Sequence, residues 1–220
     1  MKDNKSIITF FSLLVMGSLY AGDGHLAPNN HQLTDSSMLT PQELFLTQID
    51  FAIIYKQYDE LDSIVQSAGS LINEPSNGQK QTPLHIAIWK KDIMVLLTLL
   101  KYGANFEAKD SFGMTPLHYA VLLGRMSILE RLIQCGANIE AGNSSGMTPL
   151  YTAMNTKNEA IIELLIKNGA DVTKKNPNNG TSLVTTARNQ ELSDQMQKLL
   201  IEKVVETVQK SRGLTDGSVK

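Results

Sequence analysis

The 220-residue sequence predicts an all-α solenoid built from a repeated helix pair, and two markers that recur in phase carry the prediction. The first marker is Thr82-Pro83-Leu84-His85-Ile86-Ala87, then Thr115-Pro116-Leu117-His118-Tyr119-Ala120, then Thr148-Pro149-Leu150-Tyr151-Thr152-Ala153, each head 33 residues after the last. The second is Gly103-Ala104-Asn105, Gly136-Ala137-Asn138 and Gly169-Ala170-Asp171, at the same period. Two separate patterns sharing one period leave little room for coincidence. Composition agrees, since 42% of the residues are apolar and a sizeable core is within reach.

At the start of the chain Lys2 and Lys5 precede an uncharged apolar run from Ile7 to Leu19, closed by the small residues Gly17, Ser18, Ala21 and Gly22. This is the layout of a secretory signal peptide, and the run is shorter than the roughly 20 apolar residues a membrane span needs. Residues 1–21 are therefore expected to be a leader cleaved after Ala21. The alternative is an uncleaved leader that anchors the chain. Residues 22–39 are polar, contain Gly24, Pro28, Asn29 and Asn30, and read as a flexible linker in which His25 and His31 are solvated.

Thr40-Pro41-Gln42-Glu43 supplies an N-cap, a first-position proline and a capping-box glutamate ahead of Leu44, Phe45, Ile49, Phe51, Ala52, Ile53 and Ile54. A second helix from about 59 to 68 carries Leu61, Ile64 and Val65, so this pair is expected to cap the stack. In the three regular units a threonine hydroxyl caps the first helix, and the following proline loses little by lacking an N–H at the first helical position. Leu84, Leu117 and Leu150 face inward, while Ala87, Ala120 and Ala153 let neighbouring helices approach without overpacking. The second helices, Ile93 to Lys101, Ser127 to Gln134 and Glu159 to Lys167, are apolar at helical spacing and stop at Gly103, Gly136 and Gly169. One such unit cannot bury its apolar face alone, so the units must stack.

The turns Asp110-Ser111-Phe112-Gly113 and Asn143-Ser144-Ser145-Gly146 pair an Asx side chain with a glycine suited to positive φ. Lys80 and Asn179 stand in that glycine's place in the first and last turns, which are expected to be distorted or mobile. Thr181 keeps the 33-residue phase, although Ala187 comes one place late. A helix from about Ser193 to Val208, with Met196, Leu199, Leu200 and Val204 inward, makes the terminal cap, and residues 209–220 form a disordered tail.

The T-P-L-H-x-A heads and their period resemble the ankyrin repeat, a β-turn followed by two antiparallel helices. The resemblance covers roughly residues 50 to 205, within a repeat domain expected over 40–208 whose clear units are about 78–110, 111–143 and 144–176. It implies that His85 and His118 hydrogen-bond within and between turns. It also implies a protein partner held by the turn tips and the concave face of the first helices. Carried onto this chain, the partner-binding residues are Trp89, Lys90, Phe112, Met114, Leu122, Met147 and Asn155, with Leu122, Leu123 and Trp89 alternatively packing between repeats.

No nucleophile and base arrangement, metal-spaced cluster or phosphate loop stands out, so no catalytic residue, metal or cofactor is assigned. Twenty basic against 22 acidic residues leave no field for nucleic acid, and the single cysteine, Cys135, excludes an intramolecular disulfide. The expectation is a non-enzymatic interaction module, monomeric, exported to the periplasm or secreted. The alternatives are an effector of a host-associated bacterium that engages host proteins and, more distantly, an enzyme or enzyme subunit.

Overall fold

The structure is a computed structural model that describes residues 40–56 and 58–212. Ten α-helices form among them: α1 (Pro41–Tyr55), α2 (Leu61–Ala68), α3 (Pro83–Trp89), α4 (Ile93–Lys101), α5 (Pro116–Leu122), α6 (Met126–Gln134), α7 (Pro149–Asn155), α8 (Glu159–Lys167), α9 (Leu183–Asn189) and α10 (Asp194–Ser211). A 3₁₀ turn, Gly69–Asn73, follows α2. The leader and linker expected over residues 1–39 and the end of the tail lie outside the described residues.

Eight of the ten helices start at a side-chain cap, the exceptions being α2 after Glu60 and α6 after Arg125. Thr40 and Glu43 form the reciprocal box at α1, with the Thr40 N–H donating to Glu43 at 2.8 Å and the Glu43 N–H donating to Thr40 Oγ1 at 3.2 Å. Pro83, Pro116 and Pro149 open α3, α5 and α7. Between the paired helices the chain reverses through one residue in the left-handed region, Lys91, Gly124, Lys157 and Glu191 in successive units.

The two helices of each unit pack on one another, and the first helices stack in the order α3, α5, α7, α9. Their inward residues Leu84, Leu117, Leu150 and Leu183 are buried, and Ala87, Ala120, Ala153 and Ala187 are wholly inaccessible. Val95, Leu96 and Leu99 of α4, Ile128, Leu129 and Leu132 of α6, and Ile161, Ile162 and Leu165 of α8 complete one continuous apolar core. Phe45, Ile49, Leu61 and Val65 close it at one end, and Met196 and Leu200 at the other.

Two sequence expectations change in detail. Lys80 takes the left-handed conformation of the glycine it replaces, at φ 57°, and its N–H donates to Asn77 O at 3.0 Å, so the first turn keeps the regular reversal. The last turn is one residue longer. The Gly180 N–H reaches back four residues to Asn176 O, where the regular turns close over three, and the cap moves from Thr181 to Ser182. That inserted residue is why Ala187 looks late: it lies five residues after its cap, as Ala153 does after Thr148.

Candidate partner-binding face

The turns are assembled by one side chain at each tip. Asp110 Oδ1 accepts from the Phe112 and Met114 N–H groups, both at 2.8 Å, and Asn143 Oδ1 accepts from Ser145 at 2.9 Å and Met147 at 3.0 Å. Asn77 does the same for Gln79 and Gln81. Neighbouring tips are then tied side by side, with Ser111 donating to Gln79 O at 2.8 Å and Ser144 to Phe112 O at 2.9 Å. Gly113 sits in this seam at φ +70°, and a Cβ there would lie 2.5 Å from the Ser144 nitrogen.

His85 and His118 couple each helix start to the next turn, and both are completely buried. Each Nδ1 accepts from the N–H of its capping threonine at 3.2 Å, which places the ring proton on Nε2. Nε2 then donates to the next turn, His85 to Met114 O at 3.2 Å and His118 to Met147 O at 3.0 Å. Burial lowers both pKa values, against the opposing pull of those carbonyls. Tyr151 makes the equivalent link by reaching Lys174 O and Thr181 O, each at 3.1 Å. The histidines therefore hold the scaffold together, as the sequence expectation had it.

Tyr119 adds a link that sequence reasoning missed. Its hydroxyl donates to Asp110 Oδ2 at 2.8 Å and accepts from Gln81 of the preceding turn. Burial pushes its pKa up to about 12, assisted by the Asp110 carboxylate and opposed by Gln81. Asp92 is a second such centre. It caps α4 through the Met94 and Val95 N–H groups at 3.0 Å, and accepts from Tyr58 at 2.7 Å and Lys56 at 3.3 Å across the repeat boundary.

On this scaffold the proposed contact residues separate. Trp89 (63% exposed), Phe112 (57%) and Leu122 (48%) present large apolar surface, and Asn155 is also exposed. Trp89 and Leu122 hold the same place, two residues before the left-handed reversal, in successive units. Met147 does not belong with them: it is buried in the core, although its turn closes as that of Met114 does. Met114 is half-buried against the core, as is Leu123, and Lys90 is tied to Asp50 at 2.9 Å. Ile54 (45% exposed) was missed; it precedes Lys56 as Trp89 precedes Lys91, extending the apolar row by one unit. The signal lay in the α1 run, where Leu44, Phe45, Ile49, Ala52 and Ile54 span more of the helix than one buried face uses.

Among the described residues no group of three or more His, Cys, Asp or Glu could hold a metal ion. No helix there is long and apolar enough to cross a membrane. Cys135 is free and exposed.

Two family models match the chain, one described as ankyrin repeats in three copies over residues 84–176, the other as ankyrin repeats in many copies over residues 49–100. Together they span more than half of the sequence. No curated protein matches the chain.

Proposed function

This chain belongs to the ankyrin-repeat family, and from that premise we propose that it is a monomeric, non-enzymatic module that binds a protein through the face made by its turns and first helices. The carrying observation is the exposure of Trp89, Phe112 and Leu122 on a scaffold whose turns are locked by Asp110, Asn143 and the two histidines. Large apolar side chains held rigidly at a surface lose little entropy on binding and gain the desolvation energy typical of interface anchors. The apolar leader expected over residues 1–21 supports export of the chain to the periplasm or beyond, where the partner would be met.

The test is affinity capture from the cell envelope and medium, with the captured protein identified and its binding reconstituted from purified components. The comparison variant is Trp89→Ala/Phe112→Ala/Leu122→Ala, checked for intact helices by circular dichroism. Specific binding lost in the folded variant is expected. Binding that survives the triple change would place the contact elsewhere on the solenoid.

A further inference from the structure

The chain is close to neutral, yet its charges are unevenly placed. In the three regular units the turns and first helices, residues 76–91, 109–124 and 143–157, carry Lys80, Lys90, Lys91, Lys109 and Lys157 against a single acid, Asp110. That acid is buried and engaged by two backbone N–H groups and the Tyr119 hydroxyl. The second helices and their loops, residues 92–108, 125–142 and 158–175, carry six basic and seven acidic residues. The face with the exposed apolar row is thus the face with the positive excess.

Three of these lysines, Lys80 in its turn and Lys91 and Lys157 between paired helices, stand in places where the backbone does not favour them. Lys91 and Lys157 adopt φ 58° and 55°, the left-handed conformation that Gly124 takes in the unit between them. Glycine adopts that conformation without the Cβ clash lysine suffers. Both side chains are exposed, and neither makes an ion pair among the described residues. Each lies two residues beyond an exposed residue at the end of a first helix, Lys91 after Trp89 of the apolar row and Lys157 after the polar Asn155. The acids next to these lysines are engaged elsewhere, Asp92 by the α4 N–H groups and Tyr58, Glu159 by Ser193 and Asp50 by Lys90, while Asp59, Glu60 and Glu191 lie toward the ends of the face.

Resting on the interaction reading above, we propose that the partner segment is acidic and apolar: a stretch of protein chain that sets large apolar side chains against Trp89 and Leu122 and flanking Asp or Glu carboxylates toward Lys91, Lys157 and Lys80. The apolar row supplies the desolvation energy, and the lysines supply rate and register by charge complementarity. A nucleic acid or anionic lipid would use the lysines without needing Trp89 and Leu122 in a row.

The experiment selects a random-sequence peptide display library against the full chain, then measures the enriched peptides by titration. The variants are Lys91→Glu/Lys157→Glu, Lys91→Gly/Lys157→Gly, which suits the left-handed backbone, and Trp89→Ala/Leu122→Ala. Expected are peptides rich in Asp or Glu beside aromatic or aliphatic residues, weakened about tenfold by the charge reversal, less by the glycine pair, and strongly by loss of the apolar pair. Peptides that need Trp89 and Leu122 but are neutral or basic would overturn the acidic assignment and leave the interaction reading standing. No enrichment at all would count against both. Tighter binding of an oligothymidylate or of phosphatidylglycerol vesicles, lost on charge reversal yet indifferent to Trp89, would overturn the assignment of a protein partner.

Discussion

His118 offers the sharpest test of how the turns are held, because it is wholly buried and satisfies groups in two repeats at once. Replacing it by alanine leaves the Thr115 N–H without a partner, strips the Met147 carbonyl of one of its two donors, the Asn143 N–H at 3.0 Å remaining, and opens a cavity where the ring stood. An orphaned buried group costs about 1–3 kcal/mol, so with the lost packing the expected destabilisation is about 3–5 kcal/mol. His118→Gln, whose amide can still accept the cap N–H as a capping-box residue does, is expected to cost about 1–2 kcal/mol. The assay is urea unfolding followed by circular dichroism. pH gives a second readout. Burial lowers the pKa of His118 and His85 below the unfolded value of about 6.5, so in that window the unfolded chain binds more protons than the folded one. Stability is therefore complete above about pH 6.5 and falls as pH drops through the folded values, by at most about 1.4 kcal/mol per pH unit for each ring. His118→Gln should remove one of these two contributions. A loss under about 1 kcal/mol for His118→Ala, or an unchanged pH slope in His118→Gln, would refute the linkage between cap and turn.

Other perturbations follow from the same geometry. Lys91→Gly and Lys157→Gly should each raise stability by about 0.5–1 kcal/mol, because glycine removes the left-handed penalty and gives back part of it as chain entropy; a fall in thermal midpoint would contradict this. Gly113→Ala should destabilise by about 2–3 kcal/mol, since its Cβ meets Ser144 backbone, whereas Gly103→Ala has open space and should cost only about 1 kcal/mol from its positive φ. The order of the two in denaturant titrations is the check. Asp92→Ala removes an N-cap and the anchor of Tyr58, and should lower stability by about 2–4 kcal/mol in the same titrations. Met147→Ala should behave as a core deletion, losing about 2–4 kcal/mol of stability while a folded fraction still binds.

Much of the fold was legible because its determinants are local and repeated. Thr-Pro heads, inward leucines and alanines, and glycine stops each dictate backbone within a few residues, so the period alone orders the helices. The shifted last turn was not legible, since whether Thr181 or Ser182 caps α9 depends on how Asn176 closes the loop onto Gly180. The face was legible only in part. The exposure of Trp89, Phe112 and Leu122 follows from position within the repeat, but Met147 sits one residue before its helix cap as Met114 does, and position within the repeat does not tell that one is buried and the other half-buried. The Tyr119 and Asp92 networks join residues far apart in sequence, Gln81 to Tyr119 and Tyr58 to Asp92, which no short motif encodes.

The central claim, that a protein partner docks on the turns and first helices, is most directly tested through Trp89, the sole tryptophan of the chain and 63% exposed. Titrating the identified partner into the full chain while following tryptophan emission, with a tryptophan-free partner or Trp89 alone isotopically or fluorinally labelled, reads burial of that side chain at the moment of binding. A blue shift that saturates together with complex formation is the predicted result. Complex formation with Trp89 emission unchanged would contradict the account and move the interface to another surface of the solenoid.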